Sequence, residues 1–229
     1  MSLFAIADTH LSLSADKPMD IFEGWSDYLS RLEKNWRAVV ADGDTVVIPG
    51  DVSWAMGIEK AAADFAFLNG LPGRKIIMKG NHDYWWTTMR KMEKFLSENG
   101  FDTISILHNN AYRVGDIAVC GTRGWFFDAE QDADKKVLLR EAGRLRTSIE
   151  AALALGGEPV VFLHYPPVSS TQVCAEIYNV LKDYGIRRCC YGHLHSYATR
   201  TAFIGERDGI KFSLISGDYL EFVPKLVTL

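Results

Sequence analysis

The sequence predicts an α/β fold in which one domain, covering residues 1–229, contains two β-sheets. Over the first 100 residues, short apolar runs alternate with longer amphipathic segments, which is the order of βαβ units. The second half adds short apolar runs joined by turn residues, which indicates more antiparallel pairing. No linker, internal repeat or low-complexity segment divides the chain.

The predicted strands are the short apolar runs. "DTVVIPG" is apolar on both faces, as expected of a buried strand. The three runs between residues 102 and 122 are separated only by turn residues, so they form a hairpin-like series. The predicted strands are 2–7, 44–50, 74–80, 102–107, 111–115, 116–122, 158–165, 186–193 and two antiparallel strands within 197–216.

The predicted helices have apolar residues at helical spacing. Leu29, Leu32 and Trp36 illustrate this spacing in the first helix, and Gly100 provides a stop for the third. The predicted helices are 24–42, 59–71, 87–100, 133–155 and 172–185.

The composition is that of an average globular protein, with 48% hydrophobic and 24% charged residues. The net charge of −4 argues against long duplex nucleic acid as a partner, since that needs a basic face. It leaves room for a small phosphorylated substrate, because metal ions can supply positive charge locally. The N-terminal apolar stretch is too short for a signal peptide, and no run reaches the ~20 apolar residues of a membrane span. We therefore expect a cytoplasmic protein without a membrane partner.

The cysteines form no C-x-x-C pair, and two are adjacent within an apolar stretch. This pattern predicts reduced, buried side chains, as is usual in the cytosol, and argues against a zinc-thiolate site. The cysteines are Cys120, Cys174, Cys189 and Cys190.

Polar residues with metal-binding chemistry follow five of the predicted strands. Five of the six histidines in the chain lie at these positions. The carboxyl ends of parallel strands are where ligands gather in α/β sheets. The residues are Asp8, His10, Asp51, Asn81, His82, His164, His193 and His195.

The spacing of these residues favours a shared site. Asp8 and His10 are two apart in an extended segment, so their side chains point to the same side, and His193 and His195 repeat the arrangement. Three glycines beside them are expected to let the backbone turn sharply. They are Gly50, Gly80 and Gly192.

Seven of these groups are too many for one tetrahedral site. They fit two adjacent divalent ions that share a carboxylate and lie ~3.5–4 Å apart. Mixed imidazole, carboxylate and amide ligands suit Mn, Fe, Zn or Ni better than Ca.

Five short motifs between residues 8 and 195 resemble, in type and in order along the chain, those of the calcineurin-like metallophosphoesterases. Each motif alone is weak, but five in order at strand ends are specific. The resemblance implies a four-layer α/β/β/α sandwich, in which two mixed sheets are flanked by helices. The motifs are D-x-H (8–10), G-D (50–51), G-N-H-D (80–83), a lone His (164) and G-H-x-H (192–195).

The resemblance also implies a role for each residue. Asp8, His10 and His195 would hold one metal. Asn81, His164 and His193 would hold the second, and Asp51 would bridge both. His82 would contact the phosphate and protonate the leaving oxygen.

The implied activity is hydrolysis of a small phosphodiester or phosphomonoester by a metal-bridging hydroxide, and we favour a nucleotide-type substrate. A non-catalytic interaction scaffold on the same fold and a nuclease are the alternatives. The protein serine/threonine phosphatases of the family carry an aspartate three residues after the bridging one, followed by Arg-Gly. Here these positions are Trp54, Ala55 and Met56, which counts against a protein phosphatase.

Residues near the motifs have two interpretations each. Arg123 is a candidate phosphate clamp, because it lies in a glycine-flanked loop after a strand, or else a surface ion-pair residue. Asp83 either orients His82 or stabilises the turn. His108 is interpreted as a turn residue. Four tryptophans either wall a pocket or pack in the core. They are Trp54, Trp85, Trp86 and Trp125.

Overall fold

The computed structural model describes residues 1–125 and 132–228. Its α-helices are α1 (Tyr28–Val39), α2 (Ala62–Asn69), α3 (Met89–Glu98), α4 (Asp132–Leu155) and α5 (Ala175–Asp183). Its strands are β1 (Leu3–Ala5), β2 (Thr45–Pro49), β3 (Arg74–Met78), β4 (Ile104–Ile106), β5 (Tyr112–Val114), β6 (Ile117–Thr122), β7 (Glu158–Leu163), β8 (Arg188–Tyr191), β9 (Gly205–Arg207), β10 (Ile210–Leu214) and β11 (Lys225–Val227).

The strands form two mixed sheets. The first has the order β11-β1-β2-β3-β4, with β1 to β4 parallel and β11 antiparallel at the edge. The second has the order β5-β6-β7-β8-β10-β9, with a parallel centre and an antiparallel strand at each edge. The parallel strands of each sheet end at one side, so the residues that follow them are brought together.

Side chains alternate between the two faces of each sheet, and three cores result. Phe4, Val46 and Ile77 pack on the helical side with residues of α1, α2 and α3. Leu3 and Val47 face the second sheet and form the core between the sheets. Helices α4 and α5 cover the outer face of the second sheet. The predicted four-layer sandwich is therefore confirmed.

One of the predicted strand pairings in the centre of the chain is wrong. Run 102–107 does not join the hairpin: β4 pairs parallel to β3 in the first sheet, where Ile104 and Ile106 are buried in its helix-side core. The hairpin is made by β5 and β6 alone.

The C-terminal region also differs from the prediction. Residues Ser196–Thr201 form a 3-10 helix instead of a strand, because most of their side chains are exposed and offer no apolar face to a sheet. β10 pairs antiparallel to β9, as expected, but parallel to β8. Strand β11 was not predicted.

Candidate metal centre

Two groups of metal-binding side chains lie at the carboxyl ends of the parallel strands. We call Asp8, His10 and His195 the first group, and Asp51, His164 and His193 the second group. Within each group, one ligand atom from every residue lies within 4.8 Å of the others. Asp8, His10, Asp51 and His164 are buried, and His193 and His195 are half-buried.

Asp51 lies between the two groups. Its Oδ2 is 3.7 Å from Nε2 of His10 in the first group and 3.6 Å from Nε2 of His164 in the second. Asn81 joins the second group, because its Oδ1 is 2.6 Å from the same Nε2 of His164. The structure thus brings together all seven residues that the sequence singled out as ligands.

The backbone is in the left-handed region at several of these positions. Asp8 has φ 60°, His10 43°, Asp51 48° and His193 72°. For residues other than glycine each such conformation costs on the order of 1–3 kcal/mol, and such strain is found mainly at functional sites. The strand ends turn sharply here, which aims consecutive side chains at one point.

The neighbouring glycines allow the backbone to approach the ligand side chains closely, as well as to turn. Gly50 has φ 97°, and a Cβ there would lie 2.7 Å from Nδ1 of His164. Gly80 and Gly192 are outside the left-handed region. A Cβ on Gly80 would overlap the carboxylate of Asp51, and one on Gly192 would lie 2.5 Å from Oδ2 of Asp8. These glycines let the backbone pass directly behind the carboxylates.

Two of the histidines are oriented by hydrogen bonds at Nδ1 of the ring. Nδ1 of His164 lies 3.3 Å from the carbonyl oxygen of Pro49, and Nδ1 of His195 lies 2.8 Å from Oδ1 of Asp218. Each Nδ1–H donates to its partner, which leaves Nε2 free to bind a cation. Asp218 was missed in the sequence. It follows β10 in "SGD", which repeats the Gly-Asp pattern seen at Asp51.

Asp83 fixes the loop that carries Asn81 and His82. Its carboxylate accepts hydrogen bonds from the backbone N–H groups of Gly80 (2.6 Å), Val52 (2.8 Å) and Ser53 (3.2 Å), and from the indole N–H of Trp85 (2.8 Å). None of these hydrogen bonds reaches the His82 ring, so they correspond to the other interpretation, in which Asp83 stabilises the turn. Asp83 ties the loop after β3 to the loop after β2.

His82 lies at the mouth of the site. Its backbone N–H donates to Oδ1 of Asp51 (2.8 Å), and its Nδ1 lies 3.3 Å from the hydroxyl of Tyr84. Its ring centroid is 4.4 Å from that of Trp54 and 5.9 Å from that of His10. Burial lowers the pKa of His82 below its usual value. Tyr84 and Trp54 position this ring, and Tyr84 was not recognised for that role in the sequence.

The electrostatics of the site call for cations. Burial, together with Asp83 and Asp8, raises the pKa of Asp51 to about 9. Burial lowers the pKa of His164 to about 3 and that of His193 to about 4, so their nitrogen lone pairs are available. Such buried carboxyl and neutral imidazole groups are stabilised when a divalent ion lies between them.

Unpartnered polar atoms support the same fit. Among the described residues, Oδ1 of Asp8 and Nδ1 of His10 are buried without a hydrogen-bond partner. Nε2 of His10 is 3.4 Å from Nε2 of His195, so the ligand atoms of the two rings face one point. A cation bound by Oδ1 of Asp8 and by Nε2 of both rings would satisfy these three atoms, while Nδ1 of His10 keeps its proton, so the residues present fit two metal ions.

The structure also shows the surroundings of three of the tryptophans and of Arg123, for which the sequence allowed two interpretations each. Trp85 is buried in the core, whereas Trp54 packs against His82 and Trp86 is half-buried. The backbone oxygen of Arg123 accepts from the N–H groups of His164 (3.1 Å) and Tyr165 (2.8 Å), which places Arg123 beside the second group.

The sequence profile of the family described as "Calcineurin-like phosphoesterase" matches residues 1–197. The chain is a calcineurin-like phosphoesterase. Membership of this family makes the protein a metal-dependent hydrolase of phosphoric esters. No curated protein matches the chain. Within the described part of this phosphoesterase, no helix has the length and apolarity needed to cross a membrane.

Solved structures with similar folds share little sequence with this phosphoesterase. The phosphopantetheinyl hydrolase PptH from Mycobacterium tuberculosis is 14% identical, with a TM-score of 0.55, and the match covers 99% of this chain and 95% of that one. TT1561 of Thermus thermophilus is 13% identical, with a TM-score of 0.59 and coverages of 92% and 86%. AQ665 from Aquifex aeolicus, a protein of unknown function, is 16% identical, with a TM-score of 0.51 and coverages of 98% and 95%.

Proposed function

We propose that this phosphoesterase uses two divalent ions to hydrolyse a small phosphodiester or phosphomonoester, with a nucleotide-type substrate favoured. The observation that carries the proposal is the position of Asp51, whose Oδ2 lies 3.7 Å from His10 and 3.6 Å from His164. One carboxylate oxygen between two groups of ligands suits a pair of ions that share it.

The first group, Asp8, His10 and His195, would hold one ion. Asn81, His164 and His193 would hold the other, and Asp51 would contact both. Mn, Fe, Zn and Ni all suit this mixture of donors. When bound, two such ions supply Lewis acidity, which lowers the pKa of a bound water and balances the charge of the phosphoryl oxygens.

His82 is the residue that we propose to act on the leaving oxygen. In the imidazolium form, Nδ1–H can donate to the hydroxyl oxygen of Tyr84, 3.3 Å away, and Nε2–H remains for the substrate. Transfer of the Nε2 proton to the leaving-group oxygen then leaves neutral imidazole. Because Trp54 packs on the ring at 4.4 Å, the imidazole is held in place before substrate binds.

The surroundings of His82 support a nucleotide-type substrate. Tyr84 is 50% exposed and contacts the ring of His82, so its ring offers a surface on which a base could stack. The four cysteines are buried and free, which suits a reducing compartment, and we propose that the enzyme acts in the cytoplasm.

The activity is tested with bis-p-nitrophenyl phosphate and p-nitrophenyl phosphate, assayed side by side with added Mn²⁺ and with an EDTA control. We expect turnover that EDTA abolishes, and a faster diester would identify a phosphodiesterase. No turnover of either compound with Mn²⁺, Fe²⁺, Zn²⁺ or Ni²⁺ would contradict the proposal and favour a non-catalytic scaffold.

His82→Ala separates chemistry from metal binding. General acid–base catalysis contributes about 10²–10⁴-fold, so turnover should fall by that range while the bound metal stays nearly unchanged. Metal content by mass spectrometry and turnover are measured on the same sample. Full activity in the variant would show that His82 does not act on the leaving oxygen.

A further inference from the structure

A second polar cavity lies next to the candidate metal centre. It has a volume of about 250 Å³, and we call it the basic pocket. Its lining includes Lys79, His108, Arg123, Glu141 and Arg144. Of these, only Arg123 was predicted from the sequence to bind a ligand. The others lie on separate elements, so no local sequence pattern connects them.

The basic pocket and the metal centre are at the same end of the sandwich. The pocket lies where β3 and β4 of the first sheet meet β6 of the second, at their carboxyl ends. Lys79 precedes Gly80 and Asn81 directly, so its Cα lies within about 7 Å of that of Asn81. The backbone oxygen of Arg123 is hydrogen-bonded to the N–H of His164, 3.1 Å away. The second group and the basic pocket are therefore adjacent, as a substrate that reaches both would require.

Positive charge in the basic pocket exceeds negative charge. Three cationic side chains, Lys79, Arg123 and Arg144, face one carboxylate, Glu141, which leaves a balance of two positive charges. Burial lowers the pKa of His108, so this ring adds a neutral polar group.

The single carboxylate is already engaged. Glu141 is 1% exposed, accepts a hydrogen bond from Thr122 (2.5 Å) and pairs with Arg144 (2.6 Å). Arg123 is further away, at 3.9 Å. Within the described residues, Lys79 has no carboxylate oxygen within 4.0 Å of its ammonium group, although it is half-buried.

Arg123 has unused hydrogen-bonding capacity. Its Nε is buried and has no hydrogen-bond partner among the described residues. Its guanidinium lies over the ring of Trp125, 4.5 Å from the centroid, which fixes the plane of the fork. A buried donor without a partner is costly, and a planar guanidinium matches the oxygens of a phosphate.

We propose that the basic pocket binds a second phosphoryl group of the substrate, so that the natural substrate is an organic phosphate with two phosphoryl groups, one at the metals and one in the pocket. The proposal rests on the proposed function of the metal centre. The balance of two positive charges matches a phosphate dianion better than a carboxylate. Lys79, Arg123 and Arg144 supply its donors, while Glu141 positions Arg144.

The test compares 1,4-butanediol bisphosphate with butyl phosphate, which has the same type of leaving group but no second phosphate. We expect wild-type kcat/KM to be about 10- to 100-fold higher for the bisphosphate, the range of a charge-assisted hydrogen bond. Lys79→Met and Arg144→Met should each reduce this ratio at least about threefold. The matched control is Arg140→Met, which removes an exposed arginine one turn earlier on α4 and should leave the ratio unchanged.

Failure of the pocket and failure of the metal centre give different results. If both compounds are hydrolysed and their kcat/KM values are nearly equal, the pocket does not bind a second phosphoryl group. The proposed function of the metal centre is then unaffected. If neither compound is hydrolysed, turnover of bis-p-nitrophenyl phosphate decides whether the proposed function holds, and the pocket is judged separately by equilibrium dialysis of metal-free protein against radiolabelled inorganic phosphate. Lys79→Met and Arg144→Met should then retain less phosphate than wild type. Equal retention by wild type and both variants overturns the proposal.

Discussion

The two ligand groups orient their histidines by different means. In the second group, His164 contacts the carbonyl oxygen of Pro49, the last residue of β2, at 3.3 Å. In the first group, His195 contacts the side chain of Asp218 at 2.8 Å, and His10 has no hydrogen bond on Nδ1 among the described residues. His10 is held by aromatic packing, with Trp54 stacked at 5.1 Å.

This difference indicates which of the two groups is more easily weakened by substitution. A backbone carbonyl at the end of a central strand cannot be removed by mutation, and β2 is buried along its whole length. The first group depends on side chains from two loops, which substitutions do remove. Asp218 also adds a negative charge that makes His195 a stronger ligand. We therefore expect the first group to lose its metal first when the site is weakened.

Asp51→Ala should have the largest effect, because it removes the carboxylate oxygen that lies between Nε2 of His10 and Nε2 of His164. We expect loss of both metals and a fall in turnover beyond the about 10²–10³-fold that loss of one electrostatic contact costs. Metal content after dialysis and turnover of bis-p-nitrophenyl phosphate are measured together. Asp64→Ala, which removes another buried carboxylate, is the control for destabilisation and should keep both metals. Retention of two metals by Asp51→Ala would show that the groups bind independently.

Asp218→Asn tests the asymmetry directly. The amide has one acceptor oxygen, so it cannot serve both His195 and the backbone N–H of Ser196 as the carboxylate does. Loss of such an outer contact costs about 10- to 100-fold in metal affinity. We expect one metal to be lost on titration with a chelator while the second remains.

The control for Asp218→Asn is Asp208→Asn, which removes a surface carboxylate near Lys182. It should release both metals at the wild-type chelator concentration. Equal weakening of both metals in Asp218→Asn would mean that the two groups share their outer contacts, and the comparison between them would fail.

The sequence identified the residues that cluster at the candidate metal centre because they follow the ends of predicted strands. Asp8, Asp51 and His164 follow apolar runs whose burial is unambiguous, so parallel pairing alone brings them together. The strand pairing of 102–107 was wrong because a short apolar run fits either sheet, and the turn at His108 to Asn110 carries the chain from one sheet to the other.

The outer contacts could not be predicted, because they join residues that are distant in the sequence. His195 and Asp218 are 23 residues apart, and Asp83 contacts Val52 across 31 residues. The basic pocket combines β3, the loop after β6 and α4, and no local pattern links Lys79 with Arg144. Such contacts depend on the packing of the two sheets, which residue type and spacing do not specify.

Trp54→Leu should have the smallest effect and completes the comparison within the first group. Aromatic contacts of this kind are worth about 0.5–1.5 kcal/mol, so we expect a loss of metal affinity of about 2- to 10-fold, less than for Asp218→Asn. The measurement is chelator titration of bound metal and not activity, because Trp54 also contacts His82. Trp54→Phe keeps a ring on His10 and should recover most of the affinity. If Trp54→Leu weakened the first metal as much as Asp218→Asn, packing and not the carboxylate would set the affinity of the first group.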